Sequence, residues 1–349
     1  MKIAIRADGG ADIGMGHIMR TLALAKEIAK FHDVFYICRV DNPLTDRYSN
    51  GIEKVKSQGF RVKTIGEDSV LLDLKNIEAD LLVTDSYDVD ENYFNETKRM
   101  FYKTAYIDDM NFYNFNVDFL INQNLHAIDF KYKVNNDTRL LVGAQYIMLR
   151  DEFKNISKKY IKEEPQNIMI TVGGSDPHYI TEQILDYVKL LDYNFHVVVG
   201  PSFPKDNSLK SHESEKIRLY YNANMYEIMK KCDIAISACG STLYELADCG
   251  VPTLGTIVAD NQQGIANKMN ELGMIKNIGW YNTLVKDKFI EALTEFCSNF
   301  TLRSEMSRKA QNSIDGNGVE RLARELSTLG VQNHYLSSDK NRYSKQGEC

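Results

Sequence analysis

A histidine stands directly behind a glycine-rich loop near the start of the chain, where residues 12–20 read DIGMGHIMR. The loop follows the apolar run KIAIRAD, which is typical of a buried strand, and the apolar spacing from His17 to Lys30 predicts a helix. The first turn of a helix gathers unpaired backbone N–H groups and the positive end of the helix dipole. That field disfavours a positive charge on the imidazole, and a neutral imidazole is what a general base requires. A histidine without a chemical role is the alternative.

Two glycines precede this histidine, and an arginine follows it by one helical turn. Gly14 and Gly16 predict a tight turn, a feature of nucleotide-binding α/β proteins and of plain steric turns alike. Arg20 lies on the same helix face as the histidine, where it could bind an anion or pair with Asp8 or Asp12. A ligand role and a structural role therefore both remain open for these residues.

A second glycine-rich loop, GGSDP at residues 173–177, directly follows the apolar strand IMITV. Glycines, a serine and an aspartate before a helix predict an N-cap with exposed backbone N–H groups, which suit a phosphate. The predicted binding residues of this loop are Gly174, Ser175 and Asp176. A capped turn without a ligand is the alternative.

The third loop lies within ISACGSTLYELADCGVPTL, residues 236–254, where a strand ends, small residues follow and a helix begins. Ser241 or Thr242 can cap this helix, and the carboxylate of Glu245, one turn further on, can accept two hydroxyl hydrogen bonds, as from a ribose diol. The segment DNQQ, residues 260–263, adds amides at the start of the next helix. Uncharged donors and acceptors around helix starts suit a nucleoside diphosphate better than a metal. The predicted binding residues are Ala238, Gly240, Ser241, Thr242, Glu245, Asn261 and Gln262.

Two further strands, within VTDSYDVD and YIDDMN, end in carboxylates and a tyrosine. Because the carboxyl ends of parallel strands meet at one edge of a sheet, Asp85, Tyr87, Asp108 and Asp109 are predicted to gather at a cleft rim. Acidic residues at strand ends also often cap the following helix, which is the alternative for each of them.

The composition limits the classes of partner. The chain has 349 residues, 43% of them hydrophobic, and a formal net charge of -6, which argues against nucleic acid or an anionic membrane as the main partner. No apolar run approaches the roughly 20 residues that span a bilayer, and the N-terminus does not resemble a signal peptide, so a cytoplasmic location is expected. Six cysteines without a C-x-x-C pair, together with scattered histidines, predict reduced, buried thiols and no zinc site.

Strand and helix patterns alternate along the chain and are interrupted once, by the charged segment that ends at Pro165. This order predicts an α/β protein of two doubly wound, Rossmann-like domains that face each other across a ligand-binding cleft. The expected divisions are a first domain at 1–150, a linker at 151–165, a second domain at 166–331 and a polar tail without ordered structure at 332–349.

Six motifs, in this order, resemble those of one known family: RADGGADIGMGHIMR, VTDSYDVD, YIDDM, YIMLRDEF, TVGGSD and SACGSTLYELADCGVPTL. The family is the UDP-2,4-diacetamido-2,4,6-trideoxy-β-L-altropyranose hydrolases of the pseudaminic acid pathway (PseG), which are similar in turn to the MurG-type glycosyltransferases. The similarity extends from residue 1 to about residue 325, and the last twenty or so residues have no counterpart in it.

The resemblance implies a GT-B fold and hydrolysis of that UDP-sugar to the free sugar and UDP, with no metal and no cofactor. It also implies that His17 is the base that activates water, that 238–242 and Glu245 hold UDP, and that Tyr87 belongs to the site. In the resulting hypothesis, Gly14 and Gly16 let the backbone approach the sugar diphosphate while water attacks the anomeric carbon opposite UDP, with inversion.

Other functions remain open. A glycosyltransferase that passes the sugar from UDP to a hydroxyl or lipid would share the UDP-binding loops, and relatives in spore-coat or capsule pathways could act on other nucleotide sugars. A non-catalytic UDP-sugar-binding protein would need the cleft without a working base, against which the histidine argues. The expected partner is a UDP-sugar alone, bound by a monomer without nucleic acid and without integral membrane association.

Overall fold

The computed structural model describes residues 1–11, 13–204 and 208–328. The predicted tail at 332–349 and the possible pairing partner Asp12 therefore lie outside the described residues. Within the described part the chain forms two parallel sheets, one after the other in the sequence, and each sheet is flanked by helices.

The first sheet has seven strands in the order β3-β2-β1-β4-β5-β7-β9. Its strands are β1 (Lys2–Ala7), β2 (Asp33–Val40), β3 (Arg61–Gly66), β4 (Leu81–Asp85), β5 (Lys103–Ile107), β7 (Phe119–Asn122) and β9 (Arg139–Val142). The short strands β6 (Asn114–Phe115) and β8 (Lys133–Val134) pair separately. The helices of this part are α1 (Gly16–Ile28), α2 (Asp46–Ser57), α3 (Val70–Leu74) and α4 (Glu91–Met100).

The second sheet has six strands in the order β12-β11-β10-β13-β14-β15. Its strands are β10 (Asn167–Thr171), β11 (Asn194–Val199), β12 (Ile217–Tyr221), β13 (Ile234–Ala238), β14 (Thr253–Ile257) and β15 (Lys276–Trp280). The helices are α5 (Ile180–Val188), α6 (Met225–Lys231), α7 (Thr242–Asp248), α8 (Gln263–Glu271), α9 (Lys286–Ser298), α10 (Phe300–Ser313) and α11 (Gly318–Ser327).

The strand order reverses beside the first strand of each sheet, because β1 lies between β2 and β4, and β10 lies between β11 and β13. Ligands of open α/β sheets bind at such switch points, outside the carboxyl ends of the strands. The histidine loop follows β1, whose last residue, Ala7, pairs with Asp85 at the end of β4. The two loops of the second sheet follow β10 and β13. The fold thus brings the predicted catalytic and substrate-binding residues to the facing edges of the two sheets.

The final helix, α11, does not pack where its sequence position suggests. The predicted division counts it with the second domain, yet Val319, Leu322 and Leu326 join the core of the first sheet, against α1. Their spacing of three to four residues gives α11 one continuous apolar stripe, which this core buries. Conversely, Phe153 of the predicted linker is fully buried in the core of the second sheet. Each half of the molecule therefore contributes residues to the other's core, in addition to the covalent connection through the linker.

The apolar positions of α1 that the sequence indicated, Ile18, Leu22, Ala25 and Ile28, lie in the first core as predicted. The five cysteines of the described residues are buried and unpaired. No helix in the described part of the chain is both long enough and apolar enough to cross a membrane.

Candidate active site

A cleft of about 940 Å³ opens between the carboxyl ends of the two sheets. The residues that the sequence singled out as catalytic or substrate-binding all line it. They are Gly14, Gly16, His17, Arg20, Tyr87, Gly174, Ser175, Asp176, Ala238, Gly240, Ser241, Thr242, Glu245, Asn261 and Gln262. The structure therefore brings the three loops and the acidic strand end together, and their contacts show what each side chain can do.

His17 lies in the first turn of α1 and is bound by a buried carboxylate. Its Nδ1 lies 2.5 Å from Oδ1 of Asp85, the last residue of β4. An ionised carboxylate can only accept a hydrogen bond, so Nδ1 must carry the proton and Nε2 is left with a free lone pair in the neutral ring. This is the arrangement in which a carboxylate fixes the tautomer of a histidine base. The sequence indicated the helix start but not this partner.

Arg20 holds two carboxylates instead of an anionic ligand. Its Nε and Nη2 each donate to Asp85 at 2.6 Å, while Nη1 and Nη2 donate to Asp109 at 2.9 Å. The predicted pairing with Asp8 is wrong, because Asp8 accepts from Arg39 at 2.7 Å. Arg20 also lines the cleft, and its role in substrate binding stays a prediction, although both sides of its buried guanidinium bind carboxylates of the protein. Arg20 therefore holds Asp85 in the position from which this carboxylate binds His17.

The two carboxylates stay ionised despite their burial. Burial alone would raise the pKa of Asp85, but the charge of Arg20 and the hydrogen bonds from Arg20 and His17 outweigh it and hold this pKa below its usual range. Burial opposes the ionisation of Asp109 in the same way, and again Arg20 outweighs it and lowers the pKa. An ionised Asp85 is what allows the carboxylate to hold the histidine in one tautomer.

Tyr87 connects the histidine to the second half of the molecule. Its hydroxyl donates to Asp109 at 2.7 Å and accepts from the side-chain amide of Asn261 at 2.9 Å. Its ring meets the imidazole of His17 edge to face, with the ring centroids 4.6 Å apart. Tyr87 therefore lies beside the predicted base, at the point where the two sheet edges meet.

Asp108 does not join this group. Its carboxylate turns back to accept from the backbone N–H groups of Met110 and Asn111, so it caps the turn after β5. Burial, together with the neighbouring charge of Asp109, raises the pKa of Asp108 to about 6. The alternative of a structural cap is thus the correct one for this residue, whereas Asp85 and Asp109 gather as predicted.

In the second loop, Asp176 is a structural residue. Its carboxylate accepts from the backbone N–H groups of Ile180 and Thr181, at 2.8 and 2.9 Å, and so caps the start of α5. Asp176 also lines the cleft, and its role in substrate binding stays a prediction, although both oxygens already accept hydrogen bonds from the helix. Gly174 has a steric role: a Cβ there would lie 3.2 Å from Cβ of Met15, so a glycine lets the two loops approach across the cleft.

In the third loop, Ser241 precedes α7 but makes no side-chain hydrogen bond to it, so the predicted side-chain cap is absent. The backbone N–H groups of Leu243 and Tyr244 donate instead to the carbonyl oxygens of Gly240 and Ser241. Glu245 lines the cleft, and its role in holding the ribose stays a prediction. Its two oxygens each accept from Arg150 at 2.9 Å, so the carboxylate is held by a guanidinium instead of standing free. Burial raises the pKa of Glu245, and Arg150 partly offsets this. Gln262 binds within its own loop, where its side-chain oxygen accepts from the N–H of Val258.

Sequence analysis did not identify three residues of the site. Arg150 lies in the motif YIMLRDEF, but its partner, Glu245, is 95 residues away. Asn124 follows β7 and donates to Asp109 at 2.9 Å, and Tyr244 of α7 donates to Asn124 at 3.0 Å. The rule that identified Asp85 would also have indicated Asn124, because polar residues follow the apolar strand β7. Nothing in the sequence indicates Tyr244, whose role depends on the facing domain. The described residues contain no group of three or more potential ligands arranged to hold a metal ion.

Residues 167–322 match the family model of the glycosyltransferase family 28 C-terminal domain. Over nearly the whole chain, the structure resembles that of MurG from Acinetobacter baumannii, with a TM-score of 0.65 over 94% of this chain and 99% of that one. The chain has the GT-B fold. At 14% sequence identity this likeness concerns the fold alone. The predicted architecture of two doubly wound domains is confirmed.

Three relatives are closer in sequence. An uncharacterized protein of Methanocaldococcus jannaschii is 31% identical over 73% of this chain and 55% of its own length. The spore coat polysaccharide biosynthesis protein SpsG of Bacillus subtilis is 25% identical over 95% of this chain and 99% of its own. The pseudaminic acid cytidylyltransferase and UDP-2,4-diacetamido-2,4,6-trideoxy-β-L-altropyranose hydrolase of Helicobacter pylori is 30% identical over 60% of this chain and 39% of its own.

The chain thus spans about half of the archaeal relative and well under half of the Helicobacter protein. The resemblance to the PseG-type hydrolases that the six motifs indicated is confirmed by these comparisons.

Proposed function

We propose that the chain hydrolyses UDP-2,4-diacetamido-2,4,6-trideoxy-β-L-altropyranose to UDP and the free sugar, with inversion at C1 and without a metal or other cofactor. The observation that carries this proposal is the His17–Asp85 pair, in which Nδ1 lies 2.5 Å from a buried carboxylate and the imidazole lines the cleft between the nucleotide-type loops. The name of the Helicobacter pylori relative supports the choice of substrate. The reaction would serve pseudaminic acid-type nonulosonate biosynthesis.

In the proposed step, Nε2 of His17 takes a proton from a water molecule as the water oxygen bonds to C1 of the sugar. The bond between C1 and the β-phosphate oxygen breaks, and UDP leaves with the electron pair. Attack from the face opposite UDP inverts the configuration at C1. Asp85 stabilises the imidazolium that forms, because its ionised carboxylate already accepts from Nδ1.

The second domain would hold the leaving group. Gly240, Ser241 and Thr242 line the cleft at the start of α7, where the positive end of the helix dipole can offset the developing charge of the diphosphate. In this role Glu245 accepts the ribose hydroxyls with the lone pairs that Arg150 leaves unused. Tyr87 and Asn261 would close over the sugar between the two domains.

The experiment is an acceptor-free incubation of the protein with this UDP-sugar, in buffer with and without a chelator. UDP release is followed by chromatography, and the anomeric proton of the first sugar product by NMR. The proposal expects UDP and the inverted free sugar at equal rates in both buffers. Release of a sugar with retained configuration, or a loss of activity with the chelator, would contradict the corresponding part of the proposal.

A glycosyltransferase with a UDP-sugar donor is the second candidate, and the match of residues 167–322 to a glycosyltransferase family model favours it. Both candidates share the UDP site and differ in what attacks C1. If the protein binds UDP tightly but releases nothing until an acceptor is added, the transferase is the correct function.

A further inference from the structure

We propose that Tyr244, a residue of the second domain, is a positioning residue for the histidine of the first domain. This inference rests on the proposed function. Tyr244 lies in α7, the helix that also carries Glu245, and its side chain is almost fully buried. A hydrogen-bond chain leads from its hydroxyl across the domain boundary to the imidazole of His17. The helix that faces the nucleotide thereby also orients the base.

The first link from Tyr244 is to Asn124, and the hydrogen bonds of this asparagine determine how its side-chain amide is oriented. The amide nitrogen of Asn124 donates to Oδ1 of Asp109 at 2.9 Å, and a carboxylate can only accept. The amide oxygen of Asn124 must therefore face Tyr244, whose hydroxyl donates to it at 3.0 Å. The backbone N–H of Leu125 donates to the same hydroxyl at 3.4 Å, so the tyrosine is fixed from both sides. Asn124 is almost fully buried, so it has little access to water as a replacement partner.

From Asp109 the series of hydrogen bonds continues through charged side chains. Arg20 joins Asp109 to Asp85 with two hydrogen bonds to each carboxylate, and Asp85 accepts from Nδ1 of His17. Because the donors of the planar guanidinium have a rigid geometry, a shift of Asp109 should also shift Asp85. If Asn124 loses its tyrosine partner, its amide oxygen is left unpaired in a buried site, and the amide should turn and weaken its hydrogen bond to Asp109, which Arg20 and Tyr87 still hold. The plane of Asp85 and the direction of Nε2 would then change.

The first test compares Tyr244→Phe with Tyr220→Phe. Tyr220 is the matched control, because it belongs to the same domain and its hydroxyl is also hydrogen-bonded, to His196 at 2.8 Å, but it has no link to His17. Steady-state UDP release should show kcat about tenfold lower in Tyr244→Phe, with KM within about twofold of wild type. Tyr220→Phe should retain wild-type kcat. Equal kcat values for both variants, or an effect on KM alone, would overturn the inference.

The second test asks whether Tyr244 acts through the histidine. In a His17→Ala background, Tyr244→Phe should cause no further loss of the residual rate, because the group that it positions is already absent. An undiminished tenfold loss in that background would overturn the positioning role. Wild-type UDP release is the check on the proposed function itself, so a wild-type protein without activity would be a failure of that proposal and not of this one.

A third readout needs no substrate. The proton between Nδ1 of His17 and Asp85 lies in a short, charge-assisted hydrogen bond, and NMR of a sample labelled with ¹⁵N-histidine reports its shift and the tautomer. The inference expects a changed proton shift or a second tautomer in Tyr244→Phe, and wild-type signals in Tyr220→Phe. Identical spectra for wild type and Tyr244→Phe would contradict the inference, whatever the kinetics show.

Discussion

At the residue scale, the site is a buried network of charged side chains that holds the imidazole of His17 at the cleft. Asp85, Arg20 and Asp109 satisfy one another, so the only member that meets the cleft with an open lone pair is His17. Removing one partner of such a network costs more than the hydrogen bond itself, because the remaining charge is left buried. The roles of these residues can therefore be separated by substitutions that keep their shape.

Asp85→Asn keeps the size of the side chain but removes its charge. An asparagine can turn its NH₂ group towards Nδ1 of His17, which would move the imidazole proton to Nε2 and abolish the base. We expect kcat to fall by on the order of 10²–10⁴, the range for loss of a general base and for the wrong tautomer in such pairs. UDP release by Asp85→Asn and by His17→Ala should be similarly slow. If either variant keeps more than a tenth of wild-type turnover, the general-base role is wrong.

The residue scale is also where the sequence was least informative. A histidine at a helix start after two glycines could be identified from residue types and spacing, as could Asp85 and Tyr87 at a strand end. The direction of Asp108, the capping role of Asp176 and the ion pair of Glu245 with Arg150 could not. Each depends on which hydrogen-bond donor lies closest to the carboxylate in space, and sequence separation does not set that distance.

At the scale of elements, the loops could be located because strands and helices follow simple periodicities. Continuous apolar runs indicated parallel strands, and the switch point beside β1 and β10 explains why three separate loops meet. The start of α7 lines the cleft, whereas its other end holds an unfavourably placed carboxylate. Asp248 is its last residue, where a negative charge opposes the helix dipole.

Asp248 gives the protein a pH-dependent instability. Its side chain is buried, Oδ2 has no hydrogen-bond partner, and burial with the charge of Asp315 raises its pKa to about 7. A raised pKa in the folded state means that the protonated form is favoured, so the stability is greater below this pKa and is lost as the pH rises through about 7. Asp248→Asn should therefore stabilise the protein at pH 8.5 by on the order of 1–3 kcal/mol and by about half as much at pH 5.5.

Urea unfolding of wild type and Asp248→Asn at the two pH values measures this difference. The matched control is Asp186→Asn, an exposed carboxyl on α5 that is paired with Lys189. An equal effect of Asp248→Asn at both pH values would show that the carboxyl is not protonated near neutral pH in the folded protein.

At the scale of the whole molecule, the two domains are interdependent. The last described helix, α11, completes the core of the first domain, and Phe153 of the linker completes the core of the second. The alternation of strands and helices predicted two domains and a cleft. It could not predict the return of α11, because an amphipathic stripe shows that a helix is buried but not against which sheet.

Leu322→Ala tests this arrangement. Leu322 is fully buried against α1, so its truncation should lower the free energy of unfolding by about 2–5 kcal/mol and destabilise the first sheet. Hydrogen exchange should therefore accelerate at the amides of β1, far from residue 322 in sequence. Leu190→Ala, at a residue that is 87% exposed, is the control and should leave exchange unchanged. Faster exchange confined to the second sheet would contradict the packing of α11.

Hydrolysis in water enriched in ¹⁸O, with analysis of the released UDP by mass spectrometry, tests whether His17 directs water to the anomeric carbon. If water activated by His17 attacks C1, the bond between C1 and oxygen breaks and the released UDP carries no label. We expect unlabelled UDP together with the free sugar. Label in the β-phosphate would mean attack at phosphorus, and the assignment of His17 as the base for attack at the anomeric carbon would be wrong.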